Sequence, residues 1–394
     1  MTKPLIFLNS HPIQYFAPLY RQIHSNNRIP LTVWYCSDES IQGKMDKGFG
    51  KEVKWDIPLL EGYQSVFLTN RSWKPSIHKG FWGIFNPSVI RLLYKQEKSV
   101  LVVHGWAYAT NVMAIVFGRI FGHTVCLRSE TPCNQEQMKN KLVTFFKHIY
   151  LRFLFLFVNR FLFIGKQNRR FYRSLGIREN ELVSVPYAVD NGRFRELCDA
   201  TSREEARNIL GLPPGKKIIL YSGKYITKKR PIDLLQAFAA MESTENTLLV
   251  MVGDGACRPA MESFITDNGL QDKVILTGFI NQSRIPLYYR SANVFVMCSG
   301  LGETWGLSVN EAMNFGLPVI VSDTCGSAYD LVDNGINGAV FETGNINQLA
   351  GLLKDYLHMP AESGEAIRKA ALEKIDQYSY QQVIRGIESI TIVA

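Results

Sequence analysis

The stretch that decides the fold runs from residue 294 to residue 322 and reads VFVMCSGLGETWGLSVNEAMNFGLPVIVS. A run of β-branched and aromatic residues opens it and a second such run closes it, and both have the length and composition of buried strands. Between them lie a glycine-bearing loop and a segment with helical periodicity. A strand, a loop, a helix and another strand in this order indicate parallel strands joined by a crossover helix.

The same alternation recurs along all 394 residues. The apolar runs are continuous, which suits strands that are covered on both faces. The predicted strands span residues 5–9, 31–36, 100–104, 124–128, 160–164 and 182–186 in the first half, and 217–222, 247–252, 273–277, 294–298, 318–322 and 338–341 in the second. A polar stretch at residues 190–215 predicts a domain boundary near Val189. We therefore expect an N-terminal domain of residues 1–189 and a C-terminal domain of residues 190–377, with a last helix at about 378–394 that packs back on the first domain.

The bulk properties are those of a globular protein. Hydrophobic residues make up 46% of the chain and charged residues 20%, which excludes a disordered chain. The net charge of +9 implies attraction to anions, whether nucleic acid, anionic lipid or a phosphorylated small molecule. The seven cysteines are scattered and contain no C-x-x-C pair, which predicts a reduced, cytoplasmic environment. The most apolar segment, 149–164, is interrupted by Arg152, Asn159 and Arg160 and is too short to span a membrane.

Two glutamates with E-x7-E spacing stand in the opening stretch, Glu303 and Glu311. A helix that begins near Thr304 would point its free N–H groups at a ligand such as a diphosphate. Glu311 would then lie about two turns into that helix, within reach of a ribose, and Glu303 would accept hydrogen bonds from sugar hydroxyls. The spacing alone favours a competing interpretation, in which Glu303 is a helix-capping acid and Glu311 an exposed helix residue.

A basic loop follows the predicted strand 217–222, in the sequence YSGKYITKKRPIDLLQAF at residues 221–238. Gly223 would let a ligand approach the backbone, and Lys224 and Lys229 carry the charge to neutralise two phosphates. The order of a P-loop, G-x-x-x-x-G-K-[ST], is absent. A competing interpretation is a basic loop that is merely solvated surface.

Taken together, these motifs resemble the family 4 glycosyltransferases of the GT-B fold. The resemblance covers most of residues 217–341 and rests on Gly223-Lys224 with Lys229, Gly253-Asp254-Gly255, Thr277-Gly278-Phe279, Ser299 with Glu303 to Gly306, Glu311-Ala312-Met313, Gly316-Leu317-Pro318, Asp330-Leu331-Val332 and Asn337-Gly338. It implies an α/β protein with two facing Rossmann-like, doubly wound domains and an interdomain cleft. It also implies a retaining transferase that needs neither a metal nor another cofactor.

The resemblance assigns roles to single residues of the C-terminal domain. In such enzymes the first glutamate contacts the donor sugar, the second binds the ribose and a basic pair grips the diphosphate; the matching residues are Glu303, Glu311, Lys224 and Lys229. The donor-binding set carried over is Gly223, Lys224, Lys229, Gly253, Asp254, Gly278, Phe279, Glu303, Thr304, Trp305, Gly306, Leu307 and Glu311. Two departures stand out. Lys224 replaces an arginine and loses its bidentate fork, and Thr304-Trp305 replaces Gly-Phe, so we expect the indole to reshape the sugar pocket.

The N-terminal half resembles the family more loosely, through SVPYAVDNGRF at residues 184–194. It is also similar to bacterial surface-polysaccharide transferases in the sequence HPIQY at residues 11–15, after the first strand. The residues that this similarity and the strand ends place on the acceptor side are His11, Gln14, Tyr15, His104, Arg128 and Glu130. For His104, a catalytic role and a buried structural role are equally open.

The resemblance implies a hexosyltransferase that takes a UDP- or GDP-sugar and acts on a glycan or lipid-linked acceptor in polysaccharide or glycoconjugate synthesis. Two alternatives stay open at this point: a nucleotide-sugar 2-epimerase of the same architecture, and a catalytically silent partner subunit. Nucleic acid is not an expected partner, because no recognition motif is present.

Basic and aromatic residues are interleaved between residues 139 and 178. Lys139, Lys141, Lys147 and Arg152 alternate with phenylalanines, a mixture that can lay an amphipathic helix on an anionic membrane surface. We therefore expect a cytoplasmic protein that binds the inner face of a membrane peripherally. The competing interpretation buries these aromatic residues in the core of the first domain.

Overall fold

The computed structural model describes residues 2–43, 45–46, 48–199, 201–241 and 244–392. The chain divides into two compact units. Unit 1 comprises Met1–Lys44, Ile57–Tyr187 and Tyr380–Ala394, and unit 2 comprises Met45–Asp56 and Ala188–Ser379. Unit 2 thus includes a short segment, 45–56, from the N-terminal half of the chain.

Strands and helices alternate through both units. The strands are β1 (Leu5–Asn9), β2 (Leu31–Tyr35), β3 (Met45–Asp46), β4 (Lys51–Glu52), β5 (Gln64–Phe67), β6 (Val100–His104), β7 (Thr124–Arg128), β8 (Arg160–Phe163), β9 (Leu182–Ser184), β10 (Lys217–Ser222), β11 (Thr247–Val252), β12 (Val274–Leu276), β13 (Val294–Met297), β14 (Val319–Ser322) and β15 (Gly338–Phe341). The helices are α1 (Ala17–Ser25), α2 (Ser88–Lys95), α3 (Ala109–Ile120), α4 (Cys133–Gln137), α5 (Lys141–Phe155), α6 (Lys166–Ser174), α7 (Asn191–Asp199), α8 (Arg203–Leu210), α9 (Pro231–Ala239), α10 (Arg258–Asp267), α11 (Ile285–Ser291), α12 (Leu307–Met313), α13 (Ala328–Leu331), α14 (Ile346–His358), α15 (Ala361–Asp376) and α16 (Tyr380–Thr391). Short 3-10 helices lie at Phe81–Gly83, Glu179–Glu181 and Thr227–Lys229.

The sheet of unit 1 is parallel, with strand order β5-β2-β1-β6-β7-β8-β9. Strand β1 pairs with β2 on one side and β6 on the other, so the strand order reverses across the sheet at this point. In open α/β sheets, ligands bind beyond the carboxyl ends of strands at such a switch. The last helix, α16, lies against α1 and β9 of the same unit.

The sheet of unit 2 is also parallel, with strand order β12-β11-β10-β13-β14-β15. Here β10 pairs with β11 and β13, and the strand order reverses between β10 and β13. The loops that leave these two strands carry the basic cluster and the first glutamate of the sequence analysis. The topology therefore brings two motifs that lie far apart in sequence to one edge of one sheet.

The predicted strands are all present, each within two residues of its predicted ends. Two parallel sheets with interleaved helices confirm the predicted α/β class. Strand β5 was not predicted, because its residues are mostly exposed and lack the apolar run of a buried strand. The β3–β4 pair was missed as well, since two-residue strands leave no periodicity to read.

Candidate functional site

Three strand ends of unit 2 approach each other closely because glycines leave no side chains between them. The backbone N–H of Gly253 donates to the carbonyl oxygen of Gly278 at 3.0 Å. A Cβ atom on Gly253 would lie 1.9 Å from the carbonyl oxygen of Gly223, so no other residue fits there. The glycines at the carboxyl ends of these strands are therefore required for the close packing of the backbone, at the edge of the sheet where ligands bind in open α/β folds.

The basic loop after β10 is hydrogen-bonded to the loop after β13. The N–H of Gly300 donates to the Lys228 carbonyl at 2.7 Å, and Lys228 Nζ donates to the Gly302 carbonyl at 3.2 Å. Lys229 and Glu303 form an ion pair, with side chains that are 16% and 10% exposed. The structure thus unites two predicted site residues, and the solvated-surface interpretation does not hold for Lys229.

The helix after this loop begins at Leu307, not near Thr304 as predicted. Gly306 precedes it with φ of 94°, and a Cβ atom at this position would lie 2.4 Å from Met297 Sδ. Since only glycine satisfies both constraints, the backbone turns here and the helix cannot start earlier. Glu303 lies outside the helix and does not cap it, so the capping interpretation is wrong.

Glu311 is buried in α12, with 3% of its surface exposed, so the interpretation as an exposed helix residue is also wrong. The hydroxyl of Tyr289 donates to Glu311 Oε2 at 2.7 Å. Tyr289 lies on α11, is fully buried and stacks on Phe315 with ring centroids 5.5 Å apart. The hydrogen bond fixes one carboxylate oxygen of Glu311. Nothing in the sequence marked Tyr289, because the two helices meet only in the folded unit.

Trp305 is oriented differently from the sequence-based expectation. Its indole is 2% exposed, and Nε1 donates to Asn310 Oδ1 at 2.8 Å. The ring lies 5.9 Å from that of Tyr378, in the interior of unit 2. The expectation that the indole reshapes a sugar pocket is therefore corrected: Trp305 anchors the Glu303 loop to the helix that follows. Thr304 and Leu307, which flank this anchor, are half-buried.

The other predicted donor-side residues lie at the ends of β10 to β12. The Lys224 ammonium stands 4.7 Å from the ring centroid of Phe49, and the Phe49 ring contacts that of Phe279. Asp254 Oδ1 accepts from the N–H of Gly255 at 3.0 Å, which is the bond of a tight turn. Phe49 was missed by the sequence analysis, because it lies more than 170 residues before Lys224 in the chain.

In unit 1, His11, Gln14 and Tyr15 lie in the loop between β1 and α1 and are half-buried. Ser10 Oγ and His11 Nδ1 are 2.9 Å apart. Burial lowers the pKa of His11 to about 4, with Glu39 acting in the opposite direction. The carbonyl of Tyr15 accepts from the hydroxyl of Tyr380 at 2.8 Å, which ties this loop to α16.

His104 and Arg128 are neighbours at the ends of β6 and β7. The Arg128 guanidinium packs against the rings of both Phe16 and Tyr187, at 4.8 and 4.7 Å from their centroids, and pairs with Glu130 at 3.2 Å. Phe16 also packs against His104. Burial, and then the charge of Arg128, hold the pKa of His104 well below its ordinary value of 6.5, so the imidazole is neutral. A catalytic role for His104 stays a prediction.

Within the described ranges, no three His, Cys, Asp or Glu side chains lie together as metal ligands would. The chemistry of unit 2 is instead that of cations, amide N–H groups and two carboxylates. Such a set can bind an anion beside a polyhydroxylated group. The absence of a metal requirement stays a prediction.

Comparison with known proteins bears on unit 2 first. Residues 202–374 match the family model described as Glycosyl transferases group 1. The D-inositol 3-phosphate glycosyltransferase of Xylanimonas cellulosilytica is 30% identical over 205 residues, which cover 50% of this chain and 48% of that protein. The alpha-monoglucosyldiacylglycerol synthase of Streptococcus pneumoniae is 27% identical over 223 residues, 52% of this chain and 50% of that protein.

Among solved structures, Anabaena Alr3699/HepE in complex with UDP and glucose has a TM-score of 0.70 at 16% identity, covering 99% of this chain and 100% of that one. The fold is therefore GT-B, as predicted. The chain spans about half the length of the curated relatives it matches. The family match lies within unit 2, so the similarity to group 1 glycosyltransferases is a property of that domain.

Proposed function

We propose that this protein is a retaining glycosyltransferase that moves a hexosyl group from a UDP- or GDP-sugar to a glycan or lipid-linked acceptor. The observation that carries the proposal is the Lys229–Glu303 ion pair at the carboxyl edge of a parallel sheet. A cation for a phosphate and a carboxylate for sugar hydroxyls stand side by side there, as a nucleotide-sugar requires. The complex of Anabaena Alr3699/HepE with UDP and glucose supports this donor class.

In the proposed reaction, the bond between the sugar C1 and the diphosphate oxygen breaks as the acceptor hydroxyl forms a bond to C1 on the same face. The proton of that hydroxyl passes to an oxygen of the departing diphosphate. Lys224 and Lys229 stabilise the negative charge that develops on the leaving group. Glu303 orients the sugar through its hydroxyls, and Glu311 binds the ribose. When the donor binds, Lys229 must exchange part of its contact with Glu303 for a contact with the phosphate, because both anions compete for the same ammonium.

The test is nucleoside diphosphate release from a panel of UDP-, GDP-, ADP- and dTDP-sugars in excess EDTA, with candidate glycan and lipid-linked acceptors. We expect activity in EDTA with one donor base. The variant Lys229→Ala should turn over about 10²–10³ times more slowly, the usual loss for a group that stabilises transition-state charge. The matched control is Lys369→Ala, at a lysine 76% exposed on α15.

Three outcomes would contradict the proposal. Activity that EDTA abolishes and Mg²⁺ or Mn²⁺ restores would refute metal independence. Conversion of the donor alone into its 2-epimer, with no acceptor, would favour the nucleotide-sugar epimerase. Binding of a donor without turnover under all acceptor conditions would favour the silent partner subunit.

A second part of the proposal is that α5 binds an anionic membrane. Its exposed apolar residues are 42–74% exposed, and at about 100° per residue they fall within an arc of roughly 160°. They are Leu142, Val143, Phe145, Phe146, Ile149, Tyr150 and Phe153, continued by Leu156 just after the helix. The opposite side, with Leu151, Leu154 and Phe155, packs into the core of unit 1.

Charged residues decide which partner this apolar face fits. Lys141 and Arg152 are exposed beside the arc, where ammonium and guanidinium groups can meet lipid phosphates. Lys139 and Lys147 both pair with the buried Glu136, so their contribution to membrane attraction is smaller than the sequence suggested. An apolar arc with one basic edge on a protein of net charge +9 favours an anionic bilayer. Among the described helices, none is long and apolar enough to cross it.

Liposome sedimentation tests this part. Wild type should bind vesicles that contain anionic lipid at low salt, and Phe146→Ser with Phe153→Ser should abolish binding, while the control Lys369→Glu should not change it. Equal binding to neutral and anionic vesicles would contradict the electrostatic part. A wild type that ignores vesicles and instead forms dimers through this face, which the double variant dissolves, would replace the membrane with a second copy.

A further inference from the structure

The segment 45–56 lies in the N-terminal half of the sequence, but in the structure it belongs to unit 2 and contacts the loops after β11 and β12. Asn281 Nδ2 donates to the Lys54 carbonyl at 2.7 Å, and the N–H of Ser283 donates to Asp56 Oδ2 at 3.1 Å. At the other end of the segment, the Gly48 carbonyl lies 2.7 Å from where a Cβ atom of Gly255 would stand. Both ends of the segment are thus seated on the glycine-lined edge of the sheet.

This segment brings two aromatic side chains to that edge. The Phe49 and Phe279 ring centroids are 4.8 Å apart and the rings meet edge to face. Trp55 packs on Phe279 in the same manner at 5.9 Å. The three rings are half-buried, so each keeps part of its surface exposed. Phe49 also lies against the Lys224 ammonium, at 4.7 Å.

We propose that Phe49 and Trp55, together with Phe279, form the surface on which the planar base of the donor nucleotide packs. This inference rests on the nucleotide-sugar function proposed above. A base needs an aromatic or apolar plane, and a diphosphate needs a cation close by; Phe49 and Lys224 supply the two in contact with each other. Base stacking tolerates different bases, so the segment contributes affinity, and hydrogen bonds elsewhere select the base.

A different role for Phe49 would use the same contacts. A ring over an ammonium holds that ammonium by cation–π attraction, so Phe49 would act only by orienting Lys224. The two roles predict different changes in affinity for a ligand that has phosphates but no base. A base-packing residue affects a nucleoside diphosphate and leaves inorganic pyrophosphate alone, whereas a residue that orients Lys224 affects both equally.

Isothermal titration calorimetry with the full chain distinguishes the two roles of Phe49. The probes are UDP, GDP, ADP and dTDP, to find the base that wild type binds, and inorganic pyrophosphate. In Phe49→Ala we expect affinity for the preferred nucleoside diphosphate to fall about tenfold, and affinity for pyrophosphate to change less than twofold. Phe49→Tyr, which keeps the ring, should bind like wild type. Phe81→Ala, which removes a partly exposed ring of unit 1, is the matched control.

Each other outcome overturns the inference. An equal loss of affinity for nucleoside diphosphate and for pyrophosphate would mean that Phe49 orients Lys224 and does not contact the base. Tighter pyrophosphate binding in Phe49→Ala would mean that the Phe49 ring competes with phosphate for the Lys224 ammonium. Unchanged nucleotide affinity removes the segment from the site while leaving the proposed function intact. A wild type that binds none of the nucleotides refutes the proposed function itself.

Discussion

The two units have the same architecture, yet the carboxyl edges of their sheets differ in what surrounds their charged groups. In unit 1, Arg128 packs against two aromatic rings, and His104 beside it is neutral. In unit 2, Lys229 faces Glu303 next to strand ends whose glycines allow the backbone to pack closely. Aromatic rings surround the cation of the first edge, whereas the cation of the second edge is paired with a carboxylate. The difference supports the proposed donor chemistry of unit 2 and indicates a large structural contribution from Arg128 in unit 1.

The energetics of the two edges point the same way. Cation–π contacts with Phe16 and Tyr187 stabilise Arg128 in its packed position. The Lys229–Glu303 pair is mostly removed from water, and the desolvation cost of such a pair offsets most of its attraction. The ion pair therefore adds little to the free energy of unfolding. Such a pair is expected where function, rather than folding, requires the charges.

The largest expected effect is on turnover at the unit 2 edge. Glu303→Gln keeps the size of the side chain but removes its charge, and we expect kcat to fall about 10²–10³-fold because the sugar loses its charged acceptor during transfer. Nucleoside diphosphate affinity should change much less, since Glu303 faces the sugar. The measurement is steady-state kinetics beside calorimetry. Full activity in this variant would remove Glu303 from the site.

The next effect is on nucleotide affinity. Glu311→Ala removes a buried charged acceptor from the ribose, a hydrogen bond worth roughly 1.5–3 kcal/mol, so we expect binding about 10–100-fold weaker. Unchanged affinity for the nucleoside diphosphate would place the ribose elsewhere.

A smaller effect is expected at Tyr289, which acts through Glu311. Tyr289→Phe removes one hydrogen bond worth about 0.5–1.5 kcal/mol, and the result should be nucleotide binding roughly 2–10-fold weaker with kcat nearly unchanged. Tyr288→Phe, one residue away on the same helix, is the control. Equal effects of the two variants would mean that only the packing of α11 matters.

The smallest expected effect on activity is at His104, where stability should change instead. The pKa of His104 is lower in the folded protein than in the unfolded chain, so below about pH 6.5 the unfolded chain binds a proton that the folded one does not. The free energy of unfolding therefore falls as pH falls, by up to about 1.4 kcal/mol per pH unit from this group. His104→Gln should flatten that slope in urea unfolding between about pH 7 and pH 5. An unchanged slope would contradict the low pKa of folded His104, and a kcat lowered 100-fold would support a catalytic role for this residue.

The sequence was sufficient for twelve of the fifteen described strands, because buried parallel strands are continuous apolar runs. It placed Glu303, Lys224 and Lys229 in strand-end loops for the same reason. It could not show that Lys229 pairs with Glu303, that Tyr289 holds Glu311 or that Phe49 joins unit 2. These contacts join residues far apart in the chain, and no local periodicity records them. The helix start was predicted three residues early, since the clash of any side chain at Gly306 with Met297 is a tertiary constraint.

Calorimetric titration of UDP, GDP, ADP and dTDP into wild type, Glu311→Ala and His104→Gln tests the central claim most directly. We predict that wild type binds one of these nucleotides with one site per chain, that Glu311→Ala binds it at least tenfold more weakly, and that His104→Gln binds it as wild type does. If no nucleotide binds, or if the unit 1 variant loses as much affinity as the unit 2 variant, the assignment of the donor site to unit 2 is wrong.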